Sequence, residues 1–332
     1  MLEVQPLGDA PVPDREGSAP RAAGRPYPKG YTAPPGMRAA IADAHRTRLP
    51  LTFALAVIDL ASAVTATILA AWALLLSPLL VPVSAVLLVV AARQMRGLEC
   101  LVHEASHFNW SRRRRRLNDG LAAVLAGGPT GATIASYRTS HLLHHGRFGT
   151  PDDPDRERYE ELDLERVDRR SAWGLLRDVI VRLPRYEAGW FAAMKAQPHQ
   201  VLIPVVATSA ATGVLGHLVL GAAGGVLSGV CWLAGFFLVL PVLRFLGEAD
   251  EHVYSDSDTV FDATITNLGR WQRLLLHPHN DGYHTVHHMW PGVPHHSIRK
   301  LHYLLLAGDP DGYARRLRHR TRLLEPPRHG VG

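Results

Sequence analysis

Long apolar stretches alternate with charged segments along the 332-residue chain. Two of these stretches, residues 51–102 and 201–243, carry almost no charge. A helix needs about 20 apolar residues to cross the hydrocarbon core of a bilayer, so each stretch is long enough for two crossings. The first is interrupted at Ser77–Pro82 and the second at the small residues Gly221–Gly225. The pattern predicts two membrane hairpins, whose four transmembrane helices cover about residues 51–76, 80–102, 201–220 and 224–246.

The polar segments outside the hairpins, residues 103–199 and 247–320, contain many charges and helical patches. They predict a helical cytoplasmic cap, so the expected fold class is an all-α integral membrane protein, with its membrane domain over residues 39–320. Residues 1–38 are rich in Pro, Gly, Ala and Arg without periodicity, which is typical of disorder. We expect residues 321–332 to form a flexible tail.

The excess of basic residues fits a membrane protein better than a nucleic-acid-binding one. The formal charge is +6, but no basic patch with interleaved aromatic residues and no recognition helix accompanies it. Five consecutive arginines, Arg112–Arg116, follow the second predicted membrane helix. Because basic residues beside a membrane helix favour the cytoplasmic side, they place this end in the cytoplasm. The Arg-, Ala- and Gly-rich composition favours a bacterial source, and hence the bacterial inner membrane.

Eight histidines form three clusters with helical spacing, in the sequences HEASH, HLLHH and HTVHH. On a helix, residues at i, i+3 and i+4 lie on one face, so each cluster points its imidazoles the same way. An even number of predicted crossings separates the clusters, which places all three on the same side of the membrane. The clustered residues are His103, His107, His141, His144, His145, His284, His287 and His288.

Eight clustered histidines exceed the needs of a single metal ion. A mononuclear zinc site uses three or four protein ligands, so the count predicts two metal ions. Imidazole suits iron, zinc, copper and nickel. A pair of oxygen-activating irons fits the count best, but the spacing alone leaves the metal open. Only Cys100 and Cys231 are present, so neither a disulfide framework nor a CxxC metal site is available.

The three clusters, in this order and separated by a membrane hairpin, resemble the histidine boxes of the membrane-bound fatty acid desaturase superfamily. Three flanking segments are similar to that family too: Leu117–Asp119 after the first box, Gly149–Asp155 after the second, and Asn280–Pro294 around the third. The resemblance covers about residues 50–306. It implies that the eight box histidines bind iron, and that His252, after the last predicted membrane helix, is a ninth ligand.

Three further residues are candidates for the surroundings of the metals. Glu248 stands four residues before His252, where the family often has a polar residue that contacts the metal through water. Because Glu248 departs from that pattern, it is also a candidate carboxylate ligand. Asn280 and Asp153 are candidate partners for the second ring nitrogen of a metal-bound imidazole. The other histidines near the third box do not repeat its spacing, and we do not expect them to bind metal: His277, His279, His295, His296 and His302.

The resemblance implies an oxidoreductase that uses O2 and two irons to introduce a double bond into a fatty acyl chain. Electrons are expected from a separate partner, either a ferredoxin-like protein or a cytochrome b5-like protein with its reductase. Hydroxylation of a lipid or of a carrier-bound natural product by the same site is an alternative.

Two alternatives belong to other functional classes. HEASH matches the HExxH motif of zinc metalloproteases, in which Glu104 would be the base. That reading leaves HLLHH and HTVHH without a role. A metal transporter is the second alternative, but it predicts ionisable residues at the bilayer midplane, and the apolar stretches are nearly free of them.

Overall fold

The computed structural model describes residues 24–331. A short helix and two long apolar helices begin the described chain: α1 (Arg38–Ala44), α2 (Leu49–Leu76) and α3 (Val81–Ser106). The tight turn Pro78–Leu80 makes α2 and α3 a hairpin, in which Ser84 Oγ donates to the Ala70 carbonyl oxygen at 3.1 Å. Small buried side chains let the two helices approach closely: Ala56, Ala63, Ala70, Ala91 and Ala92.

The polar segment after α3 is helical. Asp153 begins one of its helices, because its carboxylate accepts a hydrogen bond from the Asp155 amide at 3.0 Å. Arg112, the first of the five consecutive arginines, donates from Nη1 to the carbonyl oxygen of His45 at 3.1 Å. The helices are α4 (Arg115–Ala122), α5 (Gly128–Thr130), α6 (Ile134–Arg147), α7 (Pro154–Leu162) and α8 (Ala172–Ala196), with a π-helical segment at Ala123–Gly127 and a 3-10 turn at Leu164–Arg166.

The second apolar element consists of α9 (Leu202–Ala234), the π-helical segment Gly235–Val239 and α10 (Leu240–Glu248). Within α9, Gly221 has a φ of 77° and a non-helical backbone. Ser209 Oγ donates to the Gly229 carbonyl oxygen at 3.0 Å, although 20 residues of straight helix would separate them by about 30 Å. The chain therefore folds back at Gly221.

Within residues 24–331, three helical segments are long and apolar enough to cross a membrane: Leu49–Leu76, Pro78–Ser106 and Leu202–Glu248. They overlap the stretches selected by the hydrophobic pattern. Their length and composition indicate an integral membrane protein.

The C-terminal part carries the third histidine box on a short buried helix and ends in a small sheet, which the all-α expectation did not include. In this sheet the middle strand pairs in parallel with the first, with Thr266 opposite His319, and antiparallel with the last, with Arg318 opposite His329. The elements are α11 (Val260–Ala263), β1 (Thr266–Asn267), α12 (Arg270–Leu275), a 3-10 turn at Pro278–Asn280, α13 (His284–Met289), α14 (His295–Gly308), a π-helical segment at Pro310–Ala314, β2 (Arg318–Arg320) and β3 (Arg328–His329).

The two predicted flexible ends differ from the structure where it describes them. Residues 24–38 pack against the C-terminal part: the Phe261 amide donates to the Lys29 carbonyl oxygen at 3.1 Å, and Lys29 Nζ donates to the Met289 carbonyl oxygen at 2.8 Å. At the other end, β3 pairs with β2, and the Val331 amide donates to the Ala314 carbonyl oxygen at 3.0 Å. Both ends are ordered by partners distant in sequence, which composition does not reveal. Residues 1–23 and 332 lie outside the described residues.

A buried ion-pair network is centred on Asp250, two residues before His252. The Asp250 side chain is fully buried and receives the guanidinium of Arg169 at 2.6 Å and that of Arg320 on β2. Gln272 Nε2 on α12 also donates to this carboxylate at 3.1 Å. These contacts tie the chain after α10 to the small sheet and to α12.

A second polar contact anchors the loop before the third box. Asp59, the single acid of α2, is buried, and its Oδ2 lies 2.5 Å from His279 Nε2. Gly97 on α3 permits this approach, because a β-carbon there would lie 2.5 Å from the same oxygen. The membrane hairpin thereby positions the loop that leads into α13.

Candidate metal centre

Four parts of the chain bring nine histidines together. The first box lies at the C-terminal end of α3, with His107 as the residue that ends the helix. The second box occupies the last two turns of α6, and the third forms the buried helix α13. His252 follows α10 and is buried beside the third box.

Five of the nine imidazoles form one group through their Nε2 atoms. His287 Nε2 lies 3.0 Å from His103 Nε2 and 3.0 Å from His145 Nε2. His141 Nε2 lies 3.1 Å from His145 Nε2 and 2.8 Å from His107 Nε2. All three boxes contribute to this five-histidine group.

The other four imidazoles form an adjacent group. His284 Nε2 lies 3.0 Å from both His252 Nε2 and His288 Nε2. His144 Nε2 lies 3.4 Å from His288 Nε2. The rings of His145 and His288 connect this four-histidine group to the other one, with their centroids 4.4 Å apart.

Hydrogen bonding among the imidazoles cannot account for the five-histidine group. A neutral imidazole nitrogen either carries one proton to donate or one lone pair to accept. In a linear series of five nitrogens with four contacts, at most two contacts can be ordinary hydrogen bonds. Lone pairs directed at a cation satisfy all five nitrogens at once. The donor set therefore fits a metal ion that prefers imidazole.

Burial keeps most of these imidazoles neutral. It lowers the pKa of His107 to about 3. The same cause lowers the pKa well below its usual value at His141, His145, His252, His284, His287 and His288. Since metals bind the neutral ring, burial prepares these residues for metal rather than for protons.

The family model for fatty acid desaturases matches residues 76–320. The chain belongs to the fatty acid desaturase family. This match spans all three boxes and His252, and with the histidine groups it indicates that this desaturase-family protein is a metal-binding oxidoreductase. A search among curated proteins gives no significant match.

Two carboxylates orient imidazoles of this desaturase-family protein. His144 Nδ1 lies 2.8 Å from Asp153 Oδ1, the contact expected for that aspartate. His103 Nδ1 lies 3.0 Å from Asp281 Oδ1. A carboxylate behind a metal-bound imidazole fixes the ring and raises its basicity. Each histidine group thus has one imidazole with a carboxylate behind it.

Asn280 and Glu248 are placed differently from the expectation. Asn280 Nδ2 donates to the His295 carbonyl oxygen at 3.0 Å, and the neighbouring Asp281 contacts the box histidine instead. Both His279 and Asn280 have positive φ angles, and the chain turns there. Because of this turn, Asp281 rather than Asn280 faces His103. The Glu248 carboxylate binds other side chains: Arg158 Nη1 at 2.8 Å and Tyr186 Oη at 2.8 Å.

The metalloprotease alternative does not fit the position of Glu104. This buried carboxylate accepts a hydrogen bond from the His295 amide at 2.8 Å, at the first residue of α14. An acceptor at this position satisfies an amide that the helix itself leaves without a partner. Glu104 therefore joins α3 to α14.

Three residues near the histidine groups were not predicted from the sequence. Asp281 is the partner of His103, and Glu251 lies beside His252. His277 is fully buried, within 4.0 Å of carboxylate oxygens of both Glu251 and Asp281. The sequence position of the two acids could have indicated that they lie near the site. Asp281 precedes the third box by three residues, and Glu251 directly precedes His252.

Replacing Asp281 with Asn is expected to weaken metal binding by about 10- to 100-fold, as for other partners of metal-bound histidines. The substitution removes the negative charge behind His103, a charge that also pairs with Arg96 Nη2 at 3.3 Å. Iron titration of the purified protein measures the change. Asp152→Asn, at an exposed position beside Asp153, is the matched control and should leave iron affinity unchanged. Equal iron affinities for the two variants would contradict the role of Asp281.

Proposed function

We propose that the protein is an O2-dependent fatty acid desaturase with two irons. One iron is held by the five-histidine group and the other by the four-histidine group. The observation that carries the proposal is the convergence of nine Nε2 atoms into two adjacent groups in a chain of the fatty acid desaturase family. Bound iron would supply the activation of O2 that removes hydrogen from an unactivated carbon.

The membrane arrangement in this proposal has four crossings. The turn at Gly221 supports it, because it divides Leu202–Glu248 into two antiparallel segments that are each long enough to span. The proposed location is the bacterial inner membrane, with the histidines on the cytoplasmic side. The exposed arginines Arg113–Arg116 next to α3 support that orientation.

The residues around the centre provide a place for the substrate. A cavity of 240 Å³ is lined by His103, His141, His144 and His284. It shares the lining residues Tyr137, Ser140 and Trp190 with a larger cavity of 690 Å³ between α6, α7 and α8. We propose that the substrate reaches the centre through the larger cavity, and that the buried helix α13 keeps bulk water from the opposite side of the imidazoles.

Electrons are proposed to come from a separate donor, either ferredoxin-like or cytochrome b5-like. The exposed side chains of Arg113–Arg116 lie a few residues after the first histidine box and provide a basic surface. Complementary charge increases the association rate of an acidic carrier with such a surface.

Hydroxylation is a second candidate, and the lining of the smaller cavity favours it. Ion pairs lie in that lining: Arg244 Nε with Glu99 at 2.9 Å, and Arg158 with Glu248 at 2.8 Å. An alkyl chain against these groups would remove their water without replacing its hydrogen bonds, which is unfavourable. A substrate with polar groups near the reacting carbon would replace them.

Anaerobic reconstitution with ferrous iron tests the proposal. We expect about two irons per chain and O2 consumption when reductant and an acyl substrate are added. Mass spectrometry of the product then separates the two candidates: desaturation removes two hydrogen atoms, and hydroxylation adds one oxygen atom. Binding of a single zinc without iron, together with no O2 consumption, would contradict both.

A further inference from the structure

Glu251 lies against the four-histidine group. One carboxylate oxygen of Glu251, a ring nitrogen of His252 and a ring nitrogen of His284 all lie within 4.8 Å of one another. The Nε2 atoms of the two histidines are themselves 3.0 Å apart. The three side chains thus present one oxygen and two nitrogens to a common point.

We propose that Glu251 is a direct carboxylate ligand of the metal in the four-histidine group. The inference rests on the proposed function, because it assumes that this group holds a metal. It gives the two groups equal donor numbers: five imidazoles in one, and four imidazoles with one carboxylate in the other. Mixed imidazole and carboxylate sets are suited to ferrous iron.

The backbone around Glu251 is fixed on both sides, which sets the direction of its side chain. The Ile265 amide donates to the Glu251 carbonyl oxygen at 2.8 Å. The following amide, of His252, donates to Tyr159 Oη at 3.0 Å. The carboxylate is only 15% exposed and faces the 240 Å³ cavity with His144 and His284. Its approach to the histidines is therefore built into the fold.

Charge also favours a carboxylate at this position. Neutral imidazoles contribute no negative charge, whereas two divalent ions bring several positive charges into a buried site. Burying charge without compensation is costly. Asp153 and Asp281 compensate from a greater distance, because an imidazole ring, that of His144 or His103, stands between each carboxylate and the site. Glu251 would compensate directly.

An ion pair with another side chain does not explain the position of the Glu251 carboxylate. Among the described residues, the basic side chain within 4.0 Å of this carboxylate is His277, whose Nδ1 lies 4.0 Å from Glu251 Oε1, beyond hydrogen-bond distance. Glu248, which lines the same cavity, differs because its two oxygens bind Arg158 and Tyr186 at 2.8 Å each. Of the two glutamates, Glu251 has the carboxylate that can turn to a metal.

Iron binding by Glu251→Gln, with Glu248→Gln as the matched control, tests the inference. We expect the wild type and Glu248→Gln to bind two irons per chain, with two Mössbauer signals of equal area. In Glu251→Gln the affinity for one iron should fall by at least about tenfold, and one of the two signals should change or disappear. Two irons with wild-type affinity and unchanged signals in Glu251→Gln would overturn the inference.

A second measurement does not depend on a folded Glu251 variant. Protein carrying carboxyl-13C glutamate is studied by electron-nuclear double resonance in a paramagnetic state of the iron-loaded centre. Strong coupling to a glutamate carboxyl carbon, retained in Glu248→Gln, is expected for a direct ligand, and its absence would overturn the inference. Failure of the wild type to bind any iron would instead contradict the proposed function.

Discussion

Replacement of His287 or His288 with alanine is expected to lower activity by more than about 100-fold, beyond the range for partners that only support a ligand. His287 joins His103 to His145 in the five-histidine group, with 3.0 Å on each side. His288 joins His144 to His284 in the four-histidine group, at 3.4 Å and 3.0 Å. Each substitution should therefore remove iron from one group and leave the other group's imidazoles in place.

Metal analysis and O2 consumption measure these losses, and membrane fractionation checks that each variant still inserts. His217→Ala is the control, because His217 is an exposed residue of α9. It removes an imidazole from the chain without touching either histidine group. Full activity and two bound irons in His287→Ala or His288→Ala would refute the assignment of the groups.

Replacement of Asp250 with alanine is expected to destabilise the protein by about 3–5 kcal/mol. The carboxylate is fully buried, and its removal leaves the guanidinium groups of Arg169 and Arg320 without their partner at 9% and 4% side-chain exposure. An unpaired buried charge costs far more than a lost contact at the surface. Denaturant unfolding of the solubilised protein, followed by circular dichroism, measures the difference.

Asp256→Ala provides a matched comparison, because the arginine partner of Asp256 lies on the same strand as Arg320. Asp256 pairs with Arg318 at 2.9 Å, two residues before Arg320 on β2, but its side chain is 66% exposed. Its loss should cost less than about 1 kcal/mol. Similar destabilisation by the two alanine variants would show that the Asp250 network does not hold the sheet to the chain after α10.

The Asp250 network also predicts a dependence on pH. Although burial acts to raise the pKa of Asp250, the charges of Arg169 and Arg320 hold it well below the usual value. A carboxylate with a lowered folded-state pKa stabilises the protein above its unfolded pKa of about 4, and this contribution is lost as pH falls. The unfolding free energy of the wild type should therefore fall more steeply than that of Asp250→Ala below about pH 4.

The sequence predicted the parts of the site that depend on spacing within one helix. HLLHH and HTVHH each form a helix with the histidines on one face, and the small residues near Gly221 mark the place where the chain turns back. The three boxes lie together in the structure, and the four crossings stay a prediction. These properties follow from helical periodicity and apolar length, which a single sequence contains.

Contacts between distant segments could not be predicted in the same way. Asn280 was expected behind an imidazole, but the turn with positive φ at His279 and Asn280 brings Asp281 to His103 instead. Residues 24–38 were expected to be disordered because their composition is rich in Pro and Gly. They are held by backbone hydrogen bonds to α11 and by Lys29, whose partners lie more than 200 residues away. No local pattern encodes such pairings.

The positions of the grouped histidines along the chain determine when each group can form during synthesis. The five-histidine group needs His287, and the four-histidine group needs His284 and His288, so both depend on α13 near the C-terminus. Neither group is complete when the ribosome has finished the second apolar element at Glu248, because α13 comes later in the chain. In the proposed desaturase, iron loading would therefore be a late event in biogenesis, because a chain that stops before α13 has imidazoles of both groups but completes neither.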